Sequence, residues 1–471
     1  MKKIFLNYAV VLLSAMTFFT SCGGADPKIP NPGTTSKEVI VSADITGIRQ
    51  FVKDSVYILQ GQVNVSGILN IAAGTIIKGD KLTKGTLVIL PDGKINAVGT
   101  ATSPIVFTSR LDPGLRAAGD WGGVVIVGKA RTNQSSPVVE GLSREVNYGG
   151  GTDDAHSSGK LQYVRIEFAG IALQPDREIN GLTLCAVGSG TTIDHIQVSY
   201  CGDDSFEWFG GTVNAKYLIA YIGLDDDFDT DFGFTGKVQF AVGISNPRIA
   251  DVSTSNGFES DNDASGSSAT PQTAPVFSNV TLIGPWRTST SSNVSALFGS
   301  GMHIRRNSSL SVFNSVIAGW NTGLLLDATT TYSNATSGKS AIQNVALVAN
   351  KVKSVNGANS VTEAQAAEFF NTTTFANRIM VANFNRTAPI EADSSALILS
   401  SFFDPTKTGT AANPTSFLPE TGSTLLSTGA FTHTKLQDAF FDKTATYRGA
   451  FGTVDWTKEA WVNFDPQNTV Y

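Results

Sequence analysis

The sequence predicts an all-β chain, a right-handed parallel β-helix with three short strands in each coil of about 22 residues. Three observations predict it. One pattern of an aromatic beside a carboxylate occurs three times: Asp203-Asp204-Ser205-Phe206-Glu207-Trp208, Asp226-Asp227-Phe228-Asp229-Thr230-Asp231 and Asn256-Gly257-Phe258-Glu259-Ser260-Asp261. Phe206 and Phe228 stand 22 residues apart, and a fixed period of that size marks coils that stack. Short β-type runs separated by Gly, Asp or Asn fill much of the chain, as in Val63-Asn64-Val65, Leu69-Asn70-Ile71, Thr75-Ile76-Ile77 and Leu87-Val88-Ile89. Finally, 46 glycines and only 16% charged residues suit a long β-structure, and 471 residues exceed the usual single core unless that core grows along one axis.

The start of the chain sets the expected compartment. Lys2 and Lys3 precede an apolar run from Ile4 to Phe19, followed by Thr20-Ser21-Cys22-Gly23-Gly24. A basic end, a short apolar core and small residues make a secretory signal over residues 1–21. Cys22 followed by glycines is similar to a bacterial lipobox, which implies a lipidated Cys22 and a tether over 22–37 rich in Pro and Gly. The alternative is an ordinary signal peptide in which Cys22 is incidental. The remaining cysteines, Cys185 and Cys201, are 16 residues apart, less than one coil. A disulfide between them and two buried free thiols are both open, and neither cysteine has a partner at zinc-ligand spacing.

Residues 38–350 are expected to form the solenoid. Later β-runs include Trp121 to Gly128, Leu161 to Phe168 and Thr192 to Val198, and Phe277 to Gly284 is a near copy of Val312 to Gly319. Strand parity sorts the repeat into columns. Phe206, Phe228, Phe258, Met302 and Leu324 form one inward column, and Trp208, Thr230, Ser260, Ile304 and Leu326 the next. Outward are Glu207, Asp229, Glu259, His303 and Leu325, with Phe209, Asp231, Asp261, Arg305 and Asp327 beside them. The 44 residues from Phe258 to Met302 read as one coil carrying two inserted loops, about 264–276 and 285–300. Over 351–471 the pattern weakens to a C-terminal continuation and cap. Val361 to Phe370 has a capping Thr and helical spacing, so one short helix is expected there.

Here the chain resembles a known family. Asn70-Ile71-Ala72-Ala73-Gly74-Thr75-Ile76-Ile77-Lys78-Gly79, Gly119-Asp120-Trp121-Gly122-Gly123-Val124 and the Phe–acid repeats are similar to β-helical outer-membrane lipoproteins of Gram-negative bacteria with a pectin-lyase-like fold. The end of the chain, Tyr447-Arg448-Gly449-Ala450-Phe451-Gly452 followed by Trp456 and Trp461-Val462-Asn463-Phe464, shares that resemblance. It covers most of 40–471 and extends to leptospiral β-helix lipoproteins. It implies an outer-membrane location, at the surface or the periplasmic face, and by analogy association with a TonB-dependent transporter. No chemistry comes with it.

Charge is concentrated rather than spread. Residues 203–263 hold 12 Asp and Glu against Lys216, Lys237 and Arg248, a net of −9, while the whole chain is −6. The remainder therefore carries +3, and no basic stripe interleaved with aromatics supports nucleic-acid binding. Carboxylates on adjacent coils, about 4.8 Å apart, repel by about 1 kcal/mol even in water. The column Glu207, Asp229, Glu259, with Asp225 among its neighbours, invites a cation. Asp203, Asp204, Asp226, Asp227, Asp229, Asp231, Glu259 and Asp261 are candidate Ca2+ ligands because hard cations take oxygen donors. The plainer reading is a solvated acidic wall with Asp as turn residues. Glu207, Phe209, His303 and Arg305 are candidate contacts for a glycan or partner protein, with Phe232 and Phe234 further aromatic candidates.

An enzyme reading competes with a binding one. Cys201-Gly202-Asp203-Asp204 is similar to the Gly-Asp-Asp segment of the polygalacturonase group, but that group's companion motifs are missing. His303-Ile304-Arg305-Arg306 offers a base and a cation for a polysaccharide lyase, and paired carboxylates would suit a glycoside hydrolase. A purely structural envelope protein is the third alternative, and the balance favours binding over catalysis.

Overall fold

A computed structural model describes residues 37–171, 178–286, 293–380, 417–419 and 422–471. The signal segment, Cys22 and nearly all of the proposed tether lie outside these residues. The described chain is a parallel β-helix. Ten strands stack in one sheet, from Gln62–Val65 through Phe206–Gly211, Phe228–Asp231 and Phe258–Ser260 to Lys353–Ala358. A second sheet of seventeen strands supplies the other two sides. All registered strand pairs that build the two walls beside the acidic segment are parallel.

The two other sides begin as separate strands and then fuse. In Gly159–Glu167, residues 159–162 pair with Ile95–Val98 while 164–166 pair with Ile105–Phe107. Tyr163, between the two halves, turns the corner in the left-handed region at φ 51°. The same corner falls on His195, Tyr217, Phe240, Asn279, Asn314 and Asn344, all with positive φ. Asn tolerates that backbone region, whereas an aromatic there is strained. The aromatic corners offset the strain by stacking along the axis: Tyr163 on His195 at 4.3 Å, His195 on Tyr217 at 4.4 Å, Tyr217 on Phe240 at 4.9 Å.

The inward columns agree with the sequence. Phe206, Phe228, Phe258, Met302 and Leu324 are fully buried in a continuous core, with Phe206 and Phe228 rings stacked at 5.5 Å. Phe258 is the direct register partner of Met302, so 44 residues make a single coil with inserted loops. Helix Glu363–Phe370 carries a capping box between Thr362 and Gln365, and it drives Ala366, Phe369 and Phe370 into the end of the core. A second helix, Thr329–Thr336, has no clear signal in the sequence, being rich in Thr and without a side-chain cap. No helix among the described residues is long and apolar enough to cross a membrane.

The described residues after 417 do not all sit over that end. They run back along the outside of the larger sheet as a strap. Ala430 donates to the Asn314 side chain at 2.8 Å, and Asn463 and Gln197 exchange bonds of 2.8 and 2.9 Å. The Gly114 amide then donates to the Gln467 carbonyl at 2.8 Å. Trp456 and Trp461 cover the edges of the corner rings, and the Tyr471 hydroxyl donates to buried Glu167 at 2.6 Å.

Candidate functional site

Alternation along Phe206–Gly211 turns Phe206 and Trp208 into the core and Glu207 and Phe209 out of it. Register then stacks Thr183, Glu207, Asp229, Glu259, His303 and Leu325 in one outward column, one rung per coil. The turns entering these strands add a second acidic row through a relay of side chains. Asp204 Oδ1 accepts the Asp226 amide at 2.9 Å, Asp226 Oδ1 accepts the Asn256 amide, and Asn256 Oδ1 accepts the Ser300 amide at 2.8 Å. These residues thus do serve the turns, as the plainer reading expected. They are not a freely solvated wall, however: Asp204, Glu207 and Asp226 are 7%, 9% and 4% exposed, and Asp203, Asp225, Asp229 and Glu259 are half-buried.

The result is three sets of carboxylates able to hold a metal ion, with oxygens within 4.8 Å of one another: Asp203, Asp204 and Asp225; Asp204, Glu207 and Asp229; Asp226, Asp229 and Glu259. Asp204 and Asp229 are shared, so the three sets form one line along the axis. Burial, reinforced by neighbouring carboxylates, holds Asp203, Asp204, Glu207, Asp226 and Asp229 well above the ordinary carboxylate range. Asp225 is pushed up to about 6, mainly by burial. Two neutral oxygens adjoin the middle set. Asn180 donates its Nδ2 to Glu207 while its Oδ1 has no partner among the described residues, and Thr183 Oγ1, on the rung before Glu207, has none either. Both residues are buried. Carboxylates with neutral hard oxygens are a donor set that fits Ca2+.

Several residues expected from the sequence to bind metal or ligand fall outside these sets, and the reasons are geometric. Asp227 points to the other side of the strand: a Cβ placed on core-facing Gly243 would lie 2.2 Å from its Oδ2. Asp231 Oδ1 accepts the Phe232 amide at 2.6 Å. Asp261 is held by Arg305 Nε at 2.8 Å and Arg306 Nη1 at 2.7 Å. His303, expected as a ligand contact or base, stands between Glu259 at 3.6 Å and Asp327 at 3.1 Å, and these partners raise its pKa against the effect of burial. Arg305 bridges Glu259 and Asp261, so the lyase-like base and cation are both engaged in ion pairs. Asp225, a neighbour of the column but not an expected ligand, joins the first set; Asn180 and Thr183 carry no signal in the sequence.

Beside the column lies a cleft of about 740 Å³. Its outer wall is a small hairpin in which Val138 bridges Asn147 and the Tyr148 amide donates to the Pro137 carbonyl at 3.0 Å. Arg144 fixes the hairpin to an early coil with bonds of 2.8 and 2.7 Å to Asp44. Phe209, Phe232 and Tyr148 pack together at the cleft, whereas Phe234 is fully buried in the core. Cys185 and Cys201 are both free and buried, which decides against the disulfide. Cys185 packs in the outer cluster with Phe209, and Cys201 packs in the inner core, so the sheet lies between them.

A parallel β-helix bearing a partly buried line of carboxylates is the class that fold and site define. The model of the pectate-lyase-like β-helix domain matches residues 44–388, and the chain belongs to that family. No curated protein matches the chain. No solved structure matches it.

Proposed function

We propose that this chain is a lipid-anchored binding protein of the cell envelope, held at the outer membrane through Cys22. In this reading its acidic wall takes Ca2+, and the adjoining cleft captures a glycan or a segment of a partner protein, with a TonB-dependent transporter as a candidate neighbour. The carrying observation is the line of three carboxylate sets, flanked by the oxygens of Asn180 and Thr183, which have no partner among the described residues. Crowding that much like charge into a partly buried line is unfavourable unless protons or a cation offset it, and oxygen-only donors favour a hard cation. Anchoring is supported by the order of basic residues, apolar run and Cys22.

The test is thermal unfolding of chelated protein titrated with Ca2+, with Mg2+ as comparison. A ligand at a hundred times its Kd stabilises the folded state by about 2.7 kcal/mol. A saturable rise in Tm with Ca2+, larger than with Mg2+, is expected. An unchanged Tm in millimolar Ca2+ would sink the metal reading. Lipidation is tested separately by the mass of the mature N-terminal peptide, which should carry acyl chains on Cys22.

A further inference from the structure

The first coil of the solenoid is bonded on one side only. Lys37–Val41 pairs with Ser55–Leu59, Ile48–Phe51 pairs with Ile68–Ile71, and Ile45 bridges Val65, all toward the next coil. The opposite rim is a sheet edge with no strand on it among the described residues. It exposes three aliphatic side chains: Ile48 is 72% exposed, Val52 47% and Ile40 46%. Two of its acids are engaged, Glu38 by Arg110 at 3.6 Å and Asp44 by Arg144. Lys37 and Lys53 are exposed and have no carboxylate partner among the described residues. Lys37, Arg49 and Lys53 then face Asp54 alone, three charges against one, a local balance of +2. A bare edge ordinarily invites a strand from another chain. Arg49 opposes that: its register partner Leu69 lies in the core, so Arg49 points inward at the open end, its guanidinium 5.5 Å from the Phe51 ring centroid. A further rung would have to bury that charge.

Aliphatic side chains set among unpaired cations suit a lipid surface, where apolar groups enter the headgroup boundary and ammonium groups meet phosphates. The chain preceding the rim argues for the same occupant. Fourteen residues separate Cys22 from Lys37. As a flexible chain they span roughly 20 Å, and at most about 50 Å when extended. A lipid on Cys22 therefore holds the first coil at the bilayer, while the ten rungs of the smaller sheet extend roughly 43 Å along the axis. We infer that the rim of the first coil, through Ile40, Ile48, Val52, Lys37 and Lys53, seats on the surface of an anionic phospholipid bilayer. This deepens the preceding proposal by naming the contact surface of the anchored protein, and it rests on the Cys22 reading only for what brings the rim there. It does not require Ca2+, because none of these residues belongs to the metal-binding sets.

The experiment uses the full mature chain with Cys22→Ser, which cannot be acylated there, sedimented with vesicles of phosphatidylcholine alone or mixed with phosphatidylglycerol. Binding to the anionic vesicles should be saturable, at least about tenfold tighter than to the neutral ones, and weakened by salt. Each basic residue at a charged lipid surface is worth about fivefold in affinity, so Lys37→Gln with Lys53→Gln should lose more than about tenfold. Ile48→Ser should weaken binding severalfold, and its exposed side chain makes this a test of contact rather than of folding. Lys339→Gln, beyond helix Thr329–Thr336 on a distant coil, should change nothing. No saturable binding, equal binding to both vesicles, or a loss as large in Lys339→Gln as in the paired rim variant would overturn the inference. A dimer that Ile48→Ser dissolves would place a second copy of the chain on the rim, and would overturn it too. Because the tested protein has no acyl chain, such a failure leaves the mass of the mature N-terminal peptide to decide lipidation on its own.

Discussion

Replacing Asp225 by Asn should stabilise the metal-free protein at neutral pH, contrary to the usual effect of changing a mostly buried residue. The Asp225 carboxyl accepts a hydrogen bond from Ser253 Oγ at 2.5 Å, and its Oδ1 has no partner among the described residues. Burial and the charges of Asp251 and Glu259 raise its pKa from 3.8 to about 6. A carboxyl whose folded pKa is raised contributes stability that is fully present below the unfolded pKa and lost as pH rises through the folded one. Two pKa units correspond to about 3 kcal/mol, so ionised Asp225 weakens the fold by about that amount at pH 7. Acidification to pH 5 recovers about half of it, because most of the folded carboxyl is then protonated. Asn keeps the acceptor for Ser253 and carries no charge. Chemical denaturation of chelated wild type and Asp225→Asn should show the variant ahead by roughly 3 kcal/mol at pH 7 and by about half that at pH 5. Saturating Ca2+ should narrow or reverse the order, since the variant lacks one carboxylate of the first set. A variant no more stable than wild type at pH 7 without metal would refute the reasoning.

Two further outcomes concern the ion pairs and the buried thiols. Arg305→Met removes the cation that bridges Glu259 and Asp261, leaving only Arg306 on Asp261 and His303 beside Glu259; a loss of roughly 1–3 kcal/mol is expected by denaturation, partly restored by Ca2+. Burial raises the pKa of both Cys185 and Cys201, so native protein should leave both thiols unmodified by iodoacetamide while denatured protein alkylates both, as read by peptide mass.

Much of this arrangement is legible in the sequence because it is periodic. The Phe206–Phe228 step places Glu207 over Asp229, and the pairing of Phe258 with Met302 follows once the intervening segments are read as loops. What lies beyond reach does not repeat. The hairpin carrying Tyr148 occurs once, and its seat beside Phe209 depends on Arg144 meeting Asp44, a hundred residues earlier. Asp227 looks like its neighbour Asp226 in sequence, but a turn residue one position later faces the opposite side. Cys185 and Cys201 are close along the chain, yet only the assembled sheet reveals that it separates them.

The strap along the larger sheet changes how the solenoid can come apart. A stack of coils joined only to their neighbours frays from its ends, each coil leaving at its own modest cost. Here Asn314 binds Ala430, Gln197 binds Asn463, and Glu167 and Gly114 bind Tyr471 and Gln467. Coils laid down far apart in the chain are thereby tied to one terminal segment, and none of them can open without peeling it. That bond pattern makes the unfolding of the coils from Gly114 to Asn314 a shared event, and it places the completion of the fold late, after the last residues have found their seat.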